Sequence, residues 1–250
     1  SGPGSANDDN GHGTNVAGII ASEGNVAPVG VAPDVALVAI RVLGPSGGST
    51  STIVSALEYV LARPEIKVVN MSLGGGGPFT TVCDTADAST AAFGAIIARL
   101  RVQGTLTVVA SGNEGFSTGV SSPACTNASL AVGAVYDQNV GGIAWQTCPD
   151  VTTDADQVTC FSNSSPLVEL LAPGALTTSS GPGGGTLTEG GTSQATPHVA
   201  GAAAVLLQVR PGLTPTEIIS VLARTGVPVV DRKNGLAVPR INLKAADSVR

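Results

Sequence analysis

The stretch ASTAAFGAIIARLRVQGTLTVVA, residues 88–110, reads as a helix followed by a strand. Its first part, 88–102, repeats apolar residues at spacings of three and four, the period of one helix face. Its last part, 106–110, is a short apolar and β-branched run without regular polar alternation, the mark of a strand covered on both faces. The same order recurs outward from it. Runs at 36–43, 68–71 and 130–135 read as further buried strands, and 52–61 as another helix. Strands and helices in alternation predict an α/β domain with a parallel sheet. Further on, 193–208 is the most helical part of the chain, stopped by Arg210-Pro211-Gly212. A last helix is expected over 215–224, with Thr214 as N-cap and Glu217 completing a capping box. GPGGG at 181–185 reads as a loop, and no internal repeat is visible.

Composition narrows the class. The chain has 250 residues, 42% hydrophobic and 12% charged, enough apolar material for one core, so a single domain over 1–250 is expected. A net charge of −6 gives no basic footprint for a phosphate backbone, so nucleic acid is not expected as a partner. No apolar run approaches the roughly 20 residues that span a bilayer, so no membrane role is indicated. Cys83, Cys125, Cys148 and Cys160 lack C-x-x-C spacing, and His12 and His198 lie far apart, which argues against zinc. An even cysteine count fits disulfides and an oxidising compartment. Three pairings are open, and Cys83 with Cys125 and Cys148 with Cys160 is the favoured one. SGPGS at 1–5 reads as a processed, truncated or vector-derived start.

Three segments carry candidate chemistry. GHGTNVAG (11–18) sets His12 before a small-residue helix; VVASGNEG (108–115) runs a strand into Asn113; GTSQATPHVAG (191–201) sets Ser193 at a helix start. Taken singly, these are a loop histidine, a turn asparagine and an N-cap serine. The third still places a serine where free N–H groups and the helix dipole favour negative charge, with Pro197 near the first turn. Asn113 follows a parallel strand, at the edge where open α/β sheets bind ligands.

In this order the three segments resemble the subtilase family of serine peptidases. The resemblance covers nearly the whole chain and includes VGVAP (29–33), NMSLGG (70–75) and LAPG (171–174). It implies a three-layer subtilisin-like fold, a mostly parallel sheet with helices on both faces. It also implies Ser193 as nucleophile, His12 as general base, and Asn113 with the Ser193 N–H as oxyanion donors. Ser72, Leu73 and Gly74 on one side, and Ala110, Ser111 and Gly112 on the other, match the family's strands that hold an extended substrate. His198 lies five residues into the helix that Ser193 opens and is set aside as the base. A G-x-S-x-G hydrolase elbow fits worse, since Ala195 holds the fifth place and His12 comes first in the chain. A chymotrypsin-like double barrel would need an all-β pattern.

The pattern breaks at the catalytic aspartate, which the family carries on a strand well upstream of the histidine, whereas 11 residues precede His12. Asp8 and Asp9 match the loop leading to the histidine and are poor substitutes. The missing strand is central in the family's sheet, so its neighbours should lack partners, and the complete enzyme is expected to include that N-terminal piece or a propeptide. Asn15 stands where many relatives have a second histidine, and Gln194 where they have methionine. Catalysis needs no cofactor. A structural calcium is conceivable, but Gly24 leaves the 22–28 loop only Glu23 and Asn25, while Asp150, Asp154 and Asp156 read as a solvated acidic loop or a hard-cation site. The expected function is secreted or periplasmic endopeptidase action on protein or peptide substrates. A binding module on the same scaffold and a peptide ligase or cyclase are the alternatives.

Overall fold

Gly104 and Asp87 show how the local sequence sets the elements. The Asp87 carboxylate accepts from the Thr90 N–H at 2.8 Å while the Thr90 hydroxyl accepts from the Asp87 N–H, and Gly104 closes the same helix at φ 93°, a conformation suited to glycine. The computed structural model describes residues 7–248; the reading of residues 1–5 lies outside the described residues. The helices are α1 (His12–Ala21), α2 (Thr50–Leu61), α3 (Ala88–Gln103), α4 (Thr192–Val209), α5 (Pro215–Thr225) and α6 (Leu243–Ser248). The strands are β1 (Val68–Met71), β2 (Gly75–Phe79), β3 (Leu106–Ala110), β4 (Val120–Ser122), β5 (Leu130–Tyr136), β6 (Ile143–Ala144), β7 (Pro149–Asp150), β8 (Val168–Ala175), β9 (Thr177–Ser180), β10 (Thr186–Glu189), β11 (Val227–Val230) and β12 (Ala237–Arg240). The 181–185 loop joins β9 to β10 and holds one 3₁₀ turn. Thr214 and Glu217 form the expected capping box of α5.

Six strands form the main sheet in the order β1-β3-β5-β8-β12-β11, parallel except for β11. Its buried strands alternate between two apolar layers. Val108, Val132 and Ala134 face Val199, Leu206, Ile218 and Leu222 of α4 and α5; Val109, Ala131 and Val135 face Ile53, Leu57, Phe93, Ile97 and Leu100 of α2 and α3. Cover on both faces is why 106–110 and 130–135 show no regular polar alternation. Both disulfides follow the favoured pairing, Cys83–Cys125 and Cys148–Cys160. Among the described residues, no helix is long and apolar enough to cross a membrane.

One expected strand does not form. Residues 36–43 have no ladder, and Leu37, Val38 and Ile40 are exposed. The physical reason lies opposite: β1 is an edge of the sheet, and 36–43 and β1 line one open groove with no strand between them. An apolar run becomes a buried strand only when a neighbour supplies hydrogen bonds and cover.

Candidate active site

Ser193 is the second residue of α4, whose N-cap, Gly191, is fixed by an N–H bond to the Gly174 carbonyl at 2.7 Å. First-turn N–H groups have no intrahelical partner. Pro197 is the sixth residue of α4 rather than a first-turn residue, so it removes the N–H that would bond the Ser193 carbonyl. The Ser72 hydroxyl donates to that carbonyl instead at 2.6 Å, and the Asn70 amide donates to the Ser72 hydroxyl at 3.0 Å. The Ser193 hydroxyl lies 3.3 Å from the Ser72 carbonyl, its acceptor here.

Asn113 follows β3 and turns its side chain to the same helix start. Its Oδ1 accepts from both the backbone N–H and the hydroxyl of Thr192, at 2.8 and 2.9 Å. With the oxygen so fixed, Nδ2 is the free donor end of the amide. A Cβ at 191 would come 3.0 Å from the Gln194 Oε1, a tight approach, and 3.4 Å from Asn113 Nδ2, an ordinary contact. Thr192 and Asn163 escaped the sequence reading. Asn163 accepts from the Glu114 and Phe116 N–H groups and donates to the Ser111 carbonyl, bracing the Asn113 loop. Partners 47 to 79 residues apart leave no local signal.

His12 opens α1 after Gly11, whose φ of 101° suits glycine. It is half-buried and, with Ser193 and Asn113, lines the open groove. Asp8 is spent on the same helix end. One oxygen accepts from the Asn10 and Gly11 N–H groups, the other from the Thr14 N–H and hydroxyl, at 2.7 to 3.0 Å. Burial acts to raise its pKa, but those bonds hold it far below the usual carboxylate range. Asp9 is exposed and pairs with Arg41 at 2.9 Å, which also bonds the Asn7 carbonyl. These contacts occupy both carboxylates elsewhere. His198 is packed with Nδ1 2.9 Å from the Gln194 carbonyl, and burial lowers its pKa.

The subtilase family profile matches residues 1–241. The chain belongs to this family. An extracellular serine proteinase of Thermus sp. is 38% identical over 245 residues, 96% of this subtilase chain and 52% of that relative. Subtilisin Savinase of Lederbergia lenta is 37% identical over 223 residues, covering 88% of this chain and 72% of the relative. A crystal structure of a cold adapted subtilisin-like serine proteinase gives a TM-score of 0.72 at 34% identity, covering 92% of this chain and 74% of that one. The chain thus spans about half the length of the Thermus relative. The parallel sheet between two helix layers is the three-layer subtilisin-like fold expected.

The two segments that the resemblance matches to substrate binding differ in what they leave free. Ser72, Leu73 and Gly74 lead out of β1 along the groove. Ser111 is fully buried, its N–H bonded to Val132 and its carbonyl to the Ser121 N–H. The Gly112 N–H bonds the Thr192 hydroxyl, and its carbonyl takes the Asn163 N–H. On that side Ala110 and Gly112 form groove wall, while Ser111 lies behind it.

The acidic residues of the disulfide loop do not converge. Asp150 is buried and accepts from the Tyr136 hydroxyl at 2.7 Å and the Cys160 N–H at 2.9 Å; burial first, then that contact, raises the Tyr136 pKa. Asp156 forks onto Arg240 at 2.8 and 2.9 Å. Glu23 accepts from Asn25 at 3.3 Å. Among the described residues, no three histidine, cysteine or acidic side chains come together as a cluster that could hold a metal ion.

Proposed function

We propose that the complete protein is a serine endopeptidase, exported from the cell, that cuts extended polypeptides through an acyl-enzyme. What carries the reading is one groove holding Ser193 at a helix start, His12 at another, and Asn113 with its amide oxygen pinned by Thr192. Ser193 Oγ attacks the scissile carbonyl as His12 takes its proton; the carbonyl electrons move onto oxygen, held by Asn113 Nδ2 and the Ser193 N–H. Collapse expels the amine, protonated by His12, and water then releases the acid by the reverse roles. The extracellular relative and the two disulfides support export.

The direct test treats the complete natural protein with a phosphonylating serine probe and maps the adduct. Labelling at Ser193 is the expected result, and an unlabelled protein would leave a binding module on the same scaffold. Asn113→Ala should lower kcat by about 10²–10³-fold with KM little changed, because the lost donor acts on charge that exists only in the transition state. Steady-state kinetics check this, and a KM effect alone would remove Asn113 from the oxyanion site.

Peroxide should spare the activity. The chain has one methionine, Met71, which is buried in β1, and the residue after the nucleophile is Gln194, which forms no sulfoxide. Residual activity after peroxide exposure measures this directly, and rapid inactivation would contradict it.

A further inference from the structure

Directly beside the nucleophile, the Gln194 side chain turns inward, 2% exposed, into the seam between α1 and α4. Its Nε2 donates to the Asn15 Oδ1 at 3.2 Å and to the Glu189 Oε2 at 2.9 Å, which uses both of its hydrogens. Asn15, fully buried, lies one turn along α1 from His12 and donates to the Leu187 carbonyl at 2.7 Å. Leu187 and Glu189 belong to β10, and the β9–β10 hairpin closes over the start of α1, where Pro182 sits 2.9 Å from the position a Cβ on Gly11 would take. One buried polar node therefore joins the histidine helix, the serine helix and the hairpin.

Resting on the serine-peptidase reading, we propose that the Gln194 carboxamide is a positioning group that sets His12 against Ser193. An apolar seam between two helices tolerates sliding and rotation at little cost, because dispersion is non-directional. Hydrogen bonds near 3 Å do not, since they weaken steeply with misalignment and leave costly unmet groups when broken. Asn15 is three residues from His12 and Gln194 one from Ser193, so the node fixes both the rotation of α1 and its height on α4. Proton transfer between the two side chains depends on that placement.

The test uses the complete protein and Gln194→Met, which keeps length and bulk but has no N–H. Turnover should fall about 10- to 100-fold with KM within about twofold, as a small misplacement of reacting groups produces. Phosphonate labelling of Ser193 should slow in parallel, and the ¹⁵N resonances of the His12 ring should move. Glu189→Gln, which keeps an oxygen acceptor, should stay close to the parent. The ring signals of His12 and His198 are assigned by their loss in His12→Gln and His198→Gln variants of the same protein. Unchanged kcat with unmoved His12 resonances would reduce Gln194 to filler, and a loss in Glu189→Gln as large as in Gln194→Met would assign the effect to charge; either overturns the proposal. If Gln194→Met does not fold, Asn15→Ser is read by the same measurements. An unlabelled parent removes the serine reading alone, since the His12 resonances then decide the positioning role without activity.

Discussion

In the complete protein, Ser193→Ala should lower turnover on peptide substrates by about 10⁶-fold and abolish phosphonate labelling, the scale on which an intact serine–histidine unit fails when either member is removed. The serine has no substitute nearby: the Ser72 hydroxyl is committed to the Ser193 carbonyl, and the Ser111 hydroxyl is buried against the Asn163 carbonyl at 3.2 Å. His12→Ala should cost about as much, and the double variant should be no worse than either single one, because the two act as a unit. His198→Ala should leave the mechanism intact, since its Nδ1 faces the Gln194 carbonyl within its own helix. The measurement is kcat on a chromogenic peptide with the variants matched for folded fraction. Residual activity in Ser193→Ala within tenfold of the parent would mean that another group performs the attack. Additive losses in the double variant would mean that His12 does not serve Ser193.

Which parts of this molecule were legible in its sequence depended on whether the decisive contact is local. The helix and strand limits at 88–103, 106–110 and 215–225 follow from periodicity, caps and glycine stops that act within a few residues. β8 to β12 were not legible as strands, because LAPG and the GPGGG loop hide strands among residues that ordinarily break them, and β9 and β10 pair only with each other. At the site, the motifs marked Ser193, His12 and Asn113 but not the groups that hold them. Thr192 on Asn113, Ser72 on the carbonyl freed by Pro197, and Gln194 on Asn15 all bridge distant segments. The reading of Pro197 as near the first turn, where its missing N–H costs least, did not show the Ser193 carbonyl that it frees, which takes the Ser72 hydroxyl from 121 residues away. A motif gives the order of backbone groups but not which of them are already paired, as those of Ser111 are with Val132 and Ser121.

Supplying an extended segment that ends in aspartate to the groove between β1 and 36–43 should raise turnover by about 3 × 10⁴-fold over this chain alone, the cost of lacking that carboxylate in an otherwise intact triad. The argument is one of unmet backbone. β1 pairs with β3 on one side only, through Val68 to Met71, and its outer N–H and C=O groups face the groove. Across it, 36–43 carries Val38, Ile40 and Val42 with no ladder, though its composition is that of a buried strand. A parallel strand inserted there satisfies both edges and covers apolar side chains that are now exposed. Asp8 cannot take the aspartate's role, because both its oxygens hold the start of α1, and Asp9 is drawn out to Arg41. A chain extended at its N-terminus should therefore show slowed amide exchange at 36–43 and at Val68–Met71 together with the gain in kcat. The same extension with asparagine for aspartate should keep the exchange protection and lose the gain, because asparagine fills the slot without the charge that steadies the imidazolium. Protection without any difference between the two extensions would place the carboxylate elsewhere, and no protection at all would show that the groove is not a strand site.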